Sequence, residues 1–332
     1  MKSDEFSGSR VLVTGGAGFI GSALVWELNR RGCEDIVICD ILGTNEKWRN
    51  LTPLRFDDYV EGDVLMARLR SGALGKFDLV LHMGACSATT ERDATYLIRN
   101  NYEFTKDLAA WALGAKARFV YASSAATYGD GSAGMEDVDA KIESLRPLNM
   151  YGYSKHLFDL YAKREGILNR IVGLKYFNVY GPNEDHKGDM RSLVHKSFAQ
   201  IKKEGMIRLF KSYRKDYEDG KQKRDFLYVK DAVAMTLHLA ANNKAGGIFN
   251  IGSGAARTWI DLANSVFAAL GKKPVIEFIE MPDVIRDKYQ YFTQADISRL
   301  RATGYRPNVM SLEDAVADYV RNYLEPDKRL EP

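Results

Sequence analysis

The stretch RVLVTGGAGFIGSALVWEL, residues 10–28, decides the fold of this chain. A short apolar, β-branched run leads into a glycine-rich turn, and an amphipathic helical pattern follows directly. Gly15 permits a tight turn, Gly18 lets the backbone approach a pyrophosphate, and Gly21 lets the helix pack closely on the strand. The start of the helix supplies unpaired N–H groups and a partial positive charge to the anion. The stretch therefore predicts a strand–turn–helix unit that binds a dinucleotide.

An acidic residue in the right place strengthens this prediction over a plain glycine-rich turn. Asp40 ends the next apolar run, where a ribose hydroxyl of the dinucleotide would be held. A carboxylate there repels a ribose 2′-phosphate and favours NAD. Lys47 and Arg49 follow closely, however, and could neutralise such a phosphate. The residues alone leave the choice between NAD and NADP open.

Short apolar runs alternate with amphipathic segments through the first half of the chain. The apolar runs lie at residues 10–15, 35–40, 77–84, 118–124 and 171–179, and the helical segments lie at about 21–31, 96–113 and 153–165. Buried runs separated by helices predict a parallel sheet covered on both faces. This is the α/β doubly wound class, with a Rossmann sheet.

The pattern changes after residue 180. Loops precede a helix at about 190–204, and further strands are predicted at 224–229 and 247–252. The remaining residues form a mixed pattern of short helices and strands, which is typical of a smaller, separate layer of structure.

We therefore expect two domains that share segments of the chain. Residues 9–179 plus about 224–252 would form the dinucleotide-binding domain, and about 180–223 plus 253–330 a smaller mixed α/β substrate-binding domain. Residues 1–8 lack the apolar region of a signal peptide and are expected to be a disordered tail.

Composition argues against several classes of function. An apolar content of 45% suits a large core, yet no apolar run approaches the ~20 residues that span a membrane. A net charge of +3 is too small to indicate nucleic acid, and acids interleave the basic segment 211–224, which predicts a solvated loop. Three cysteines without a C-x-x-C pair indicate reduced thiols in a cytoplasmic protein, and no cluster has metal-ligand spacing.

Two motifs in the middle of the chain carry acid–base chemistry. The run RFVYASS ends in Ser123 and Ser124, where a parallel sheet presents residues to a ligand crevice. Tyr151 and Lys155 are four residues apart on a predicted helix and so share a face. A nearby ammonium would lower the pKa of the tyrosine, and a serine hydroxyl would hold the substrate alcohol. Y-x-x-x-K alone is common on exposed helices, but together these motifs predict an active site.

The strings GGAGFIG, SSAATYG, YGYSK, RDFLYV and FNIGSG occur in this order along the chain. With them the chain resembles the extended short-chain dehydrogenases/reductases that act on nucleotide sugars, and the resemblance covers nearly the whole sequence. It implies that Ser124 joins Tyr151 and Lys155 in catalysis.

Two neighbouring positions bear on the type of reaction. Dehydratases of this superfamily carry an Asp-Glu pair just after the serine or threonine, whereas this chain has Ala125 and Ala126. Dehydration is disfavoured because no carboxylic acid is there to protonate a leaving hydroxyl. A dehydrogenase that makes a carboxylate needs a nucleophilic cysteine. Cys86 lies just past a predicted strand end, but it belongs to the MGACS motif on the cofactor side.

Longer strings resemble one branch of the family, the ADP-glyceromanno-heptose 6-epimerases of lipopolysaccharide precursor synthesis. They are MGACSATTERD, NNYEFTKDL, NMYGYSK, KYFNVYGPNEDHKGDM and KYQYFTQAD. The resemblance implies that bound NADP oxidises carbon 6 of the heptose to a transient ketone and that the hydride returns to the opposite face. Two proton-handling groups are then needed, and the resemblance assigns them to Tyr151 and Lys187. Spacing and composition alone would leave Lys187 in a solvated loop.

The resemblance also implies which residues face each ligand. Those expected to face NADP are Gly15, Gly18, Phe19, Ile20, Gly21, Asp40, Ile41, Lys47, Met83, Gly84, Ala85, Cys86, Ser87, Asn100, Lys155 and Val179. Those expected to face the ADP-sugar are Ser124, Asn178, Asp189, Lys196, Phe210, Arg224 and Tyr289. A homo-oligomer, a pentamer by resemblance, is expected, with a small-molecule substrate and neither nucleic acid nor membrane as partner.

Ordinary structural interpretations compete at three positions. Arg224 could form an ion pair at a sheet edge, although guanidinium forks suit diphosphates. Tyr289 could be a core aromatic, although its polar setting DKYQYFTQ favours ligand contact. His186 is interpreted as a loop histidine.

The chain also departs from the branch it resembles. Asp189 stands where the family has a serine, and Lys196 where it has a histidine. A second lysine near the 2′-phosphate is replaced around Gly62, and the basic segment 213–222 is longer. These departures bear on the heptose contacts and on the preference for NADP.

Two other functions fit the same motifs. A UDP-hexose 4-epimerase manages with one serine–tyrosine–lysine set, because its substrate swings as a whole, and does not need Lys187. A non-catalytic redox sensor would bind a dinucleotide on the same fold, but binding alone does not need Ser124, Tyr151 and Lys155 together. An ADP-heptose 6-epimerase is therefore the first hypothesis.

Overall fold

The computed structural model describes residues 5–286 and 289–332. The strands within these residues are β1 (Val11–Thr14), β2 (Ile36–Asp40), β3 (Asp58–Glu61), β4 (Leu79–His82), β5 (Arg118–Ser124), β6 (Val172–Tyr176), β7 (Asn178–Tyr180), β8 (Ile207–Phe210), β9 (Lys223–Tyr228), β10 (Gly247–Ile251), β11 (Ala256–Thr258) and β12 (Ile276–Ile279). The α-helices are α1 (Phe19–Arg30), α2 (Leu65–Arg70), α3 (Ala94–Leu97), α4 (Phe104–Gly114), α5 (Met150–Arg164), α6 (Leu193–Glu204), α7 (Val229–Ala241), α8 (Trp259–Ala269), α9 (Asp283–Arg286), α10 (Ser298–Ala302) and α11 (Leu312–Tyr319). Short 3₁₀-helical segments lie at Glu46–Asn50, Ala125–Tyr128, Asp139–Ser144, Leu168–Arg170 and Asp185–Met190, and π-helical turns at Ile98–Glu103 and Val320–Leu324.

The main sheet is parallel and has the strand order β10-β6-β5-β4-β1-β2-β3. The chain moves from β1 outward to β3 and then returns to the other side of β1 as β4. A crevice opens at such a reversal, beyond the carboxyl ends of the strands. The predicted doubly wound parallel sheet is confirmed. The strand β3 was not predicted, because its sequence DYVE buries only one residue and has no apolar run.

Two smaller sheets lie outside the main one, with orders β11-β9-β7 and β12-β8. The single strand predicted at 171–179 is two strands, since the chain leaves the main sheet after β6 and joins the small sheet as β7. Phe177 lies between them, and its N–H donates to the carbonyl of Ile251 at 3.0 Å. The strand β9 belongs to the small sheet and β10 to the main sheet, so segment 224–252 divides between the two. The division into domains stays a prediction.

Capping side chains determine where two helices begin, and both starts differ from those predicted from the hydrophobic periodicity. The helix α5 begins at Met150, three residues before its predicted start, because the Asn149 side chain accepts from the Gly152 N–H at 2.8 Å. The helix α6 begins later than predicted, after Ser192 as its cap. Within the segment predicted as one helix at 96–113, a π-helical turn separates α3 from α4.

Four further expectations from composition concern membrane spans, cysteines, the basic segment and the N-terminal residues. No helix in the described ranges is long and apolar enough to cross a membrane. All three cysteines are free thiols. The basic segment 211–224 was predicted to be a solvated loop, and Lys211 and Lys221 do pair with Glu280 at 2.6 Å and Glu218 at 2.7 Å. The prediction is wrong for its end, where Gln222 and Arg224 are buried and β9 begins. Of the expected tail 1–8, residues 1–4 lie outside the described residues, whereas Phe6 is buried in the main core.

A buried ion pair joins β5, β6 and α5 beneath the crevice. Asp159 and Lys175 are 0% and 1% exposed, and their charged atoms lie 2.9 Å apart. The same carboxylate accepts from the hydroxyls of Tyr121 and Ser123, each at 2.8 Å. Lys175 also donates to the hydroxyl of Thr127, in the turn that follows β5. The pair therefore holds together the strand end and the helix that carry Ser124 and Tyr151.

We expect Lys175→Met to lower the free energy of unfolding by about 3–5 kcal/mol, because it leaves the Asp159 carboxylate buried without a counter-charge. Urea unfolding followed by circular dichroism measures this change. Lys202→Met is the matched control, since Lys202 pairs with Glu325 on the surface and its loss should cost at most about 1 kcal/mol. The double variant Asp159→Asn/Lys175→Met should recover part of the loss. Equal effects of the two lysine substitutions would contradict a structural role for the pair.

Candidate active site

A cavity of about 490 Å³ lies beyond the carboxyl ends of the parallel strands and is called the main cavity below because of this position in the main sheet. Its lining includes most residues that were predicted to face the cofactor, together with the serine, the tyrosine and both lysines of the predicted catalytic set. The predicted residues in the lining are Gly15, Gly18, Phe19, Ile20, Gly21, Asp40, Lys47, Met83, Gly84, Ala85, Cys86, Ser87, Ser124, Tyr151, Lys155, Val179 and Lys187.

The floor of the cavity is backbone without side chains. Gly15 has a left-handed φ of +66°, and a Cβ there would lie 2.6 Å from the nitrogen of Gly84. A Cβ on Gly21 would lie 2.0 Å from the oxygen of Gly15. Gly18 precedes α1 as its N-cap and offers no side chain to the first N–H groups of the helix. This cradle fits the pyrophosphate of a nicotinamide dinucleotide.

The Asp40 carboxylate is folded back onto the glycine-rich turn. One of its oxygens accepts from the N–H groups of Ala17 at 2.9 Å and Gly18 at 3.2 Å. The other accepts from its neighbour Ile41 and from the ammonium of Lys47, each at 2.7 Å. Each oxygen therefore already accepts two hydrogen bonds, and Lys47 balances the negative charge. Arg49 instead points to the surface, 3.5 Å from Asp327.

The predicted serine, tyrosine and lysine meet at the end of β5. Ser124 hydrogen-bonds with Tyr151, and its Oγ accepts from the N–H of Ala126 at 3.1 Å. Lys155 follows Tyr151 by one helical turn on α5 and is buried. Ser123, the other serine of the pair, donates to Asp159. Of the two strand-end serines, Ser124 therefore contacts Tyr151, whereas Ser123 belongs to the network of the buried ion pair.

The pKa of Tyr151 does not follow the expectation from its sequence neighbours. Burial raises this pKa, and the hydrogen bond from Ser124 offsets the rise only in part. Burial also lowers the pKa of Lys155 to about 8, against the opposing charge of Asp159. Desolvation therefore outweighs the attraction between ammonium and phenolate, and both groups are shifted toward their neutral forms.

Residues 181–192, called the strap below, carry the chain from β7 across the cavity to α6. Asn183 adopts a left-handed φ of +77° and is fully buried. Its amide donates to the hydroxyl of Ser22 on α1, and its oxygen accepts from the N–H of Leu330, both at 3.0 Å. Glu184, also buried, accepts from the N–H and hydroxyl of Ser192 at 2.6 Å. These bonds fix both ends of the strap.

Lys187 projects from the strap into the main cavity. Its ammonium lies 5.0 Å from the ring centroid of Phe19, which is a cation–π distance. Burial lowers the pKa of Lys187, Glu184 opposes this effect, and Lys196 adds to it. The strap thus delivers a lysine with a lowered pKa to the cavity that Tyr151 enters from α5.

A second cavity of about 310 Å³ adjoins the first and shares Val179 and Lys187 with it. Asn178, which was predicted to face the sugar, lines this second cavity together with Trp259. The Trp259 N–H donates to the hydroxyl of Tyr289 at 2.8 Å.

Arg224 lies between those two aromatic rings. Its guanidinium is 5.0 Å from the ring centroid of Tyr289 and 5.6 Å from that of Trp259. It lies on β9 and is buried, and among the described residues no carboxylate pairs with it, which argues against the alternative of an ion pair at a sheet edge. Arg224 and Tyr289 form a cation–aromatic cluster beside the second cavity, in neither lining.

Five other predicted ligand contacts lie outside both linings. Ile41 is 57% exposed, and Phe210 lies on β8. Asn100 donates to Asn101 at 2.9 Å. Lys196 donates to the backbone carbonyl of the exposed Asp189.

Several lining residues were not predicted. Ala122, Tyr176 and Phe177 lie at or just past the ends of β5 and β6, and the strand pattern could have indicated them, whereas the lining residue Ser123 was predicted with Ser124 to face the crevice. Ala88, His186 and Met190 come from loops, where periodicity carries no signal. His186, interpreted above as a loop histidine, therefore faces the cavity. Among the described residues no group of three His, Cys, Asp or Glu side chains could hold a metal ion.

A parallel sheet with a glycine-floored crevice and a serine–tyrosine–lysine set at its strand ends defines the Rossmann-type short-chain dehydrogenase/reductase class, which uses a nicotinamide dinucleotide. The sequence profile of the NAD dependent epimerase/dehydratase family matches residues 11–252, more than half of the chain. The chain belongs to this family.

Comparison with individual proteins shows which members of this family the chain is similar to. The chain is 56% identical over 314 residues to a protein of Nitratidesulfovibrio vulgaris (strain DP4) named ADP-L-glycero-D-manno-heptose-6-epimerase, with 94% of this chain and 97% of that protein covered. The crystal structure of the Helicobacter pylori protein of the same name superposes with a TM-score of 0.81 at 28% identity, covering 97% of this chain and 99% of that one. A Bacillus cereus UDP-glucuronic acid 4-epimerase variant, solved with NAD, gives a TM-score of 0.75 at 28% identity, covering 94% and 99%.

The lowered pKa of Lys155 predicts a pH dependence of stability. Between about pH 8 and 10.5 the native protein has lost this proton while the unfolded chain still binds it. The stability of nucleotide-free wild type relative to Lys155→Met should therefore rise across this window, by up to about 1.4 kcal/mol per pH unit. Urea unfolding at several pH values measures the difference.

The matched control is Lys163→Met, since Lys163 pairs with Glu143 near the surface. Its stability difference from wild type should change little between pH 8 and 10. A flat or falling curve for Lys155→Met would contradict a buried lysine that loses its proton in the native state.

Proposed function

We propose that this protein is an NADP-dependent epimerase that converts ADP-D-glycero-D-manno-heptose to ADP-L-glycero-D-manno-heptose by inverting carbon 6. The product serves as a precursor of the lipopolysaccharide inner core. The observation that carries the proposal is the presence of Lys187 in the cavity that Tyr151 also lines. The relatives named for this activity at about half identity support the choice of substrate.

The arrangement of these two groups suits inversion at one carbon. A nicotinamide bound in the cleft would accept the hydride from carbon 6 and return it. Tyr151 would exchange a proton with the carbon-6 oxygen on one face of the sugar, with Ser124 holding that oxygen. Lys187, coming from the strap, would handle the proton when the ketone has turned its other face. Lys155 would orient Tyr151 and hold the cofactor ribose.

The surroundings of Asp40 support NADP over NAD. The carboxylate accepts hydrogen bonds from the glycine-rich turn and pairs with Lys47, so its charge is balanced before a cofactor binds. A ribose 2′-phosphate would therefore meet the ammonium of Lys47 rather than an uncompensated carboxylate. The relative solved with NAD leaves this choice open for the present chain.

Other reactions on this fold would need a different set of groups in the cavity. A 4-epimerase needs no base on the strap, and a dehydratase needs an acid where Ala125 stands. A redox sensor needs neither Tyr151 nor Lys187. The assembly of several copies, a pentamer by resemblance, stays a prediction.

We expect Tyr151→Phe and Lys187→Met each to slow epimerisation by at least about 100-fold, because each removes a proton-transfer group. NMR of the ADP-heptose measures the rate, and native mass spectrometry measures the nucleotide retained by each variant, which should equal that of wild type. Lys202→Met, the same change on the surface, should keep full activity. A wild-type rate for Lys187→Met would exclude the two-base mechanism.

A substrate panel tests the proposed specificity separately. Wild-type protein should epimerise ADP-D-glycero-D-manno-heptose and leave UDP-glucose and UDP-galactose unchanged over the same time, as followed by NMR. Turnover of the UDP-hexoses alone would favour a 4-epimerase. No turnover of any of the three, with nucleotide bound, would favour the redox sensor.

A further inference from the structure

His186 occupies the part of the main cavity where the ribose of a dinucleotide is recognised. It lines the cavity with Asp40 and Lys47, the residues that end β2 and follow it. It comes from the strap, one position before Lys187. Since Asp40 marks the ribose position in this fold, His186 lies near the same group, and the charges of Lys47 and Asp40 both act on its imidazole.

A buried asparagine sets the tautomer of His186. The amide nitrogen of Asn50 donates to the carbonyls of Ala17 and Asn183, each at 3.0 Å, and so must be the NH₂ group. It also lies 3.3 Å from Nδ1 of His186. Both of its hydrogens already point to those carbonyls and an amide nitrogen cannot accept, so a proton on Nδ1 would face a donor, and Nδ1 carries its lone pair instead. A neutral imidazole with the lone pair on Nδ1 carries its proton on Nε2. Within the described part of the chain, Nε2 has no hydrogen-bond partner.

Burial and the neighbouring positive charges keep the imidazole of His186 neutral in the free protein. Burial lowers its pKa to about 4, and the nearby ammonium groups of Lys47 and Lys187 add to this effect. Asp40 and Asp185 oppose it. His186 is therefore a neutral N–H donor near pH 7, next to the fixed positive charge of Lys47.

We propose that the Nε2–H of His186 donates a hydrogen bond to the 2′-phosphate of the bound dinucleotide and thereby selects NADP over NAD. The proposal rests on the cofactor proposed above. The phosphate would accept from Lys47 on one side and from His186 on the other, while the bonds of Asp40 to the backbone keep its carboxylate away. A hydroxyl in place of the phosphate would present fewer acceptors and no charge, so NAD should gain much less from the same contact.

The test compares cofactor preference in full-length variants. Wild type, His186→Leu and His186→Gln are equilibrated with equal concentrations of NADP⁺ and NAD⁺, and native mass spectrometry gives the ratio bound. We expect His186→Leu to lower the NADP-to-NAD ratio about 10-fold, which is the loss of one hydrogen bond to a charged group. His186→Gln should stay within about 3-fold of wild type, because its amide N–H can replace Nε2–H.

Two controls separate this role from a structural one. His238→Leu makes the same change at a half-buried histidine that bonds Thr303, and it should leave the ratio unchanged. Binding of 2′,5′-ADP and of 5′-ADP should differ less in His186→Leu than in wild type. An unchanged ratio in His186→Leu, an equal loss of both cofactors, or a failure of glutamine to preserve the ratio would overturn the proposal. A wild type that prefers NAD⁺ would refute the proposed cofactor, and the substrate panel tests the proposed activity independently.

Discussion

The close packing of backbone on backbone between β1, α1 and β4 is the constraint on which the rest of the site depends. Gly15 and Gly84 approach until a single Cβ would lie 2.6 Å from a backbone nitrogen, and Gly21 packs against Gly15 more tightly still. This approach draws the start of α1 to the end of β1, so its N–H groups point to the crevice. It also places Phe19 and Ser22 on the first turn of α1, where the strap can reach them.

The strap depends on that placement. Asn183 bonds Ser22, Lys187 lies over Phe19, and Asn50 joins the carbonyl of Ala17 to that of Asn183. One glycine-rich turn therefore positions both the segment that would receive a pyrophosphate and the segment that carries the second lysine. A change that moved the turn would displace Lys187 even though the two are far apart in sequence. The position of the glycine-rich turn and the position of Lys187 are thus coupled through α1.

Features with local causes could be predicted from the sequence, and features with remote causes could not. The glycine turn and the shared helical face of Tyr151 and Lys155 each depend on residues within a few positions, so their patterns sufficed. The break of the strand at Phe177 depends on pairing with β9 and β10, which are far along the chain. The placement of His186 likewise depends on Asn50, over a hundred residues earlier. Lys187 was proposed through resemblance, because neither composition nor periodicity distinguishes it from a solvated lysine.

The expectation of a lowered pKa for Tyr151 was wrong, although its position in the cavity is as predicted. Attraction between Lys155 and a phenolate was expected to dominate, but the cleft buries both groups, and desolvation penalises each charge. The pKa of Lys187 is lowered for the same reason. The pKa values of three titratable groups in one cavity are thus all shifted toward the neutral forms, and pKa shifts of this kind are typical of functional sites. Burial, more than the pairing of charges, therefore determines the direction of the pKa shifts of Tyr151, Lys155 and Lys187.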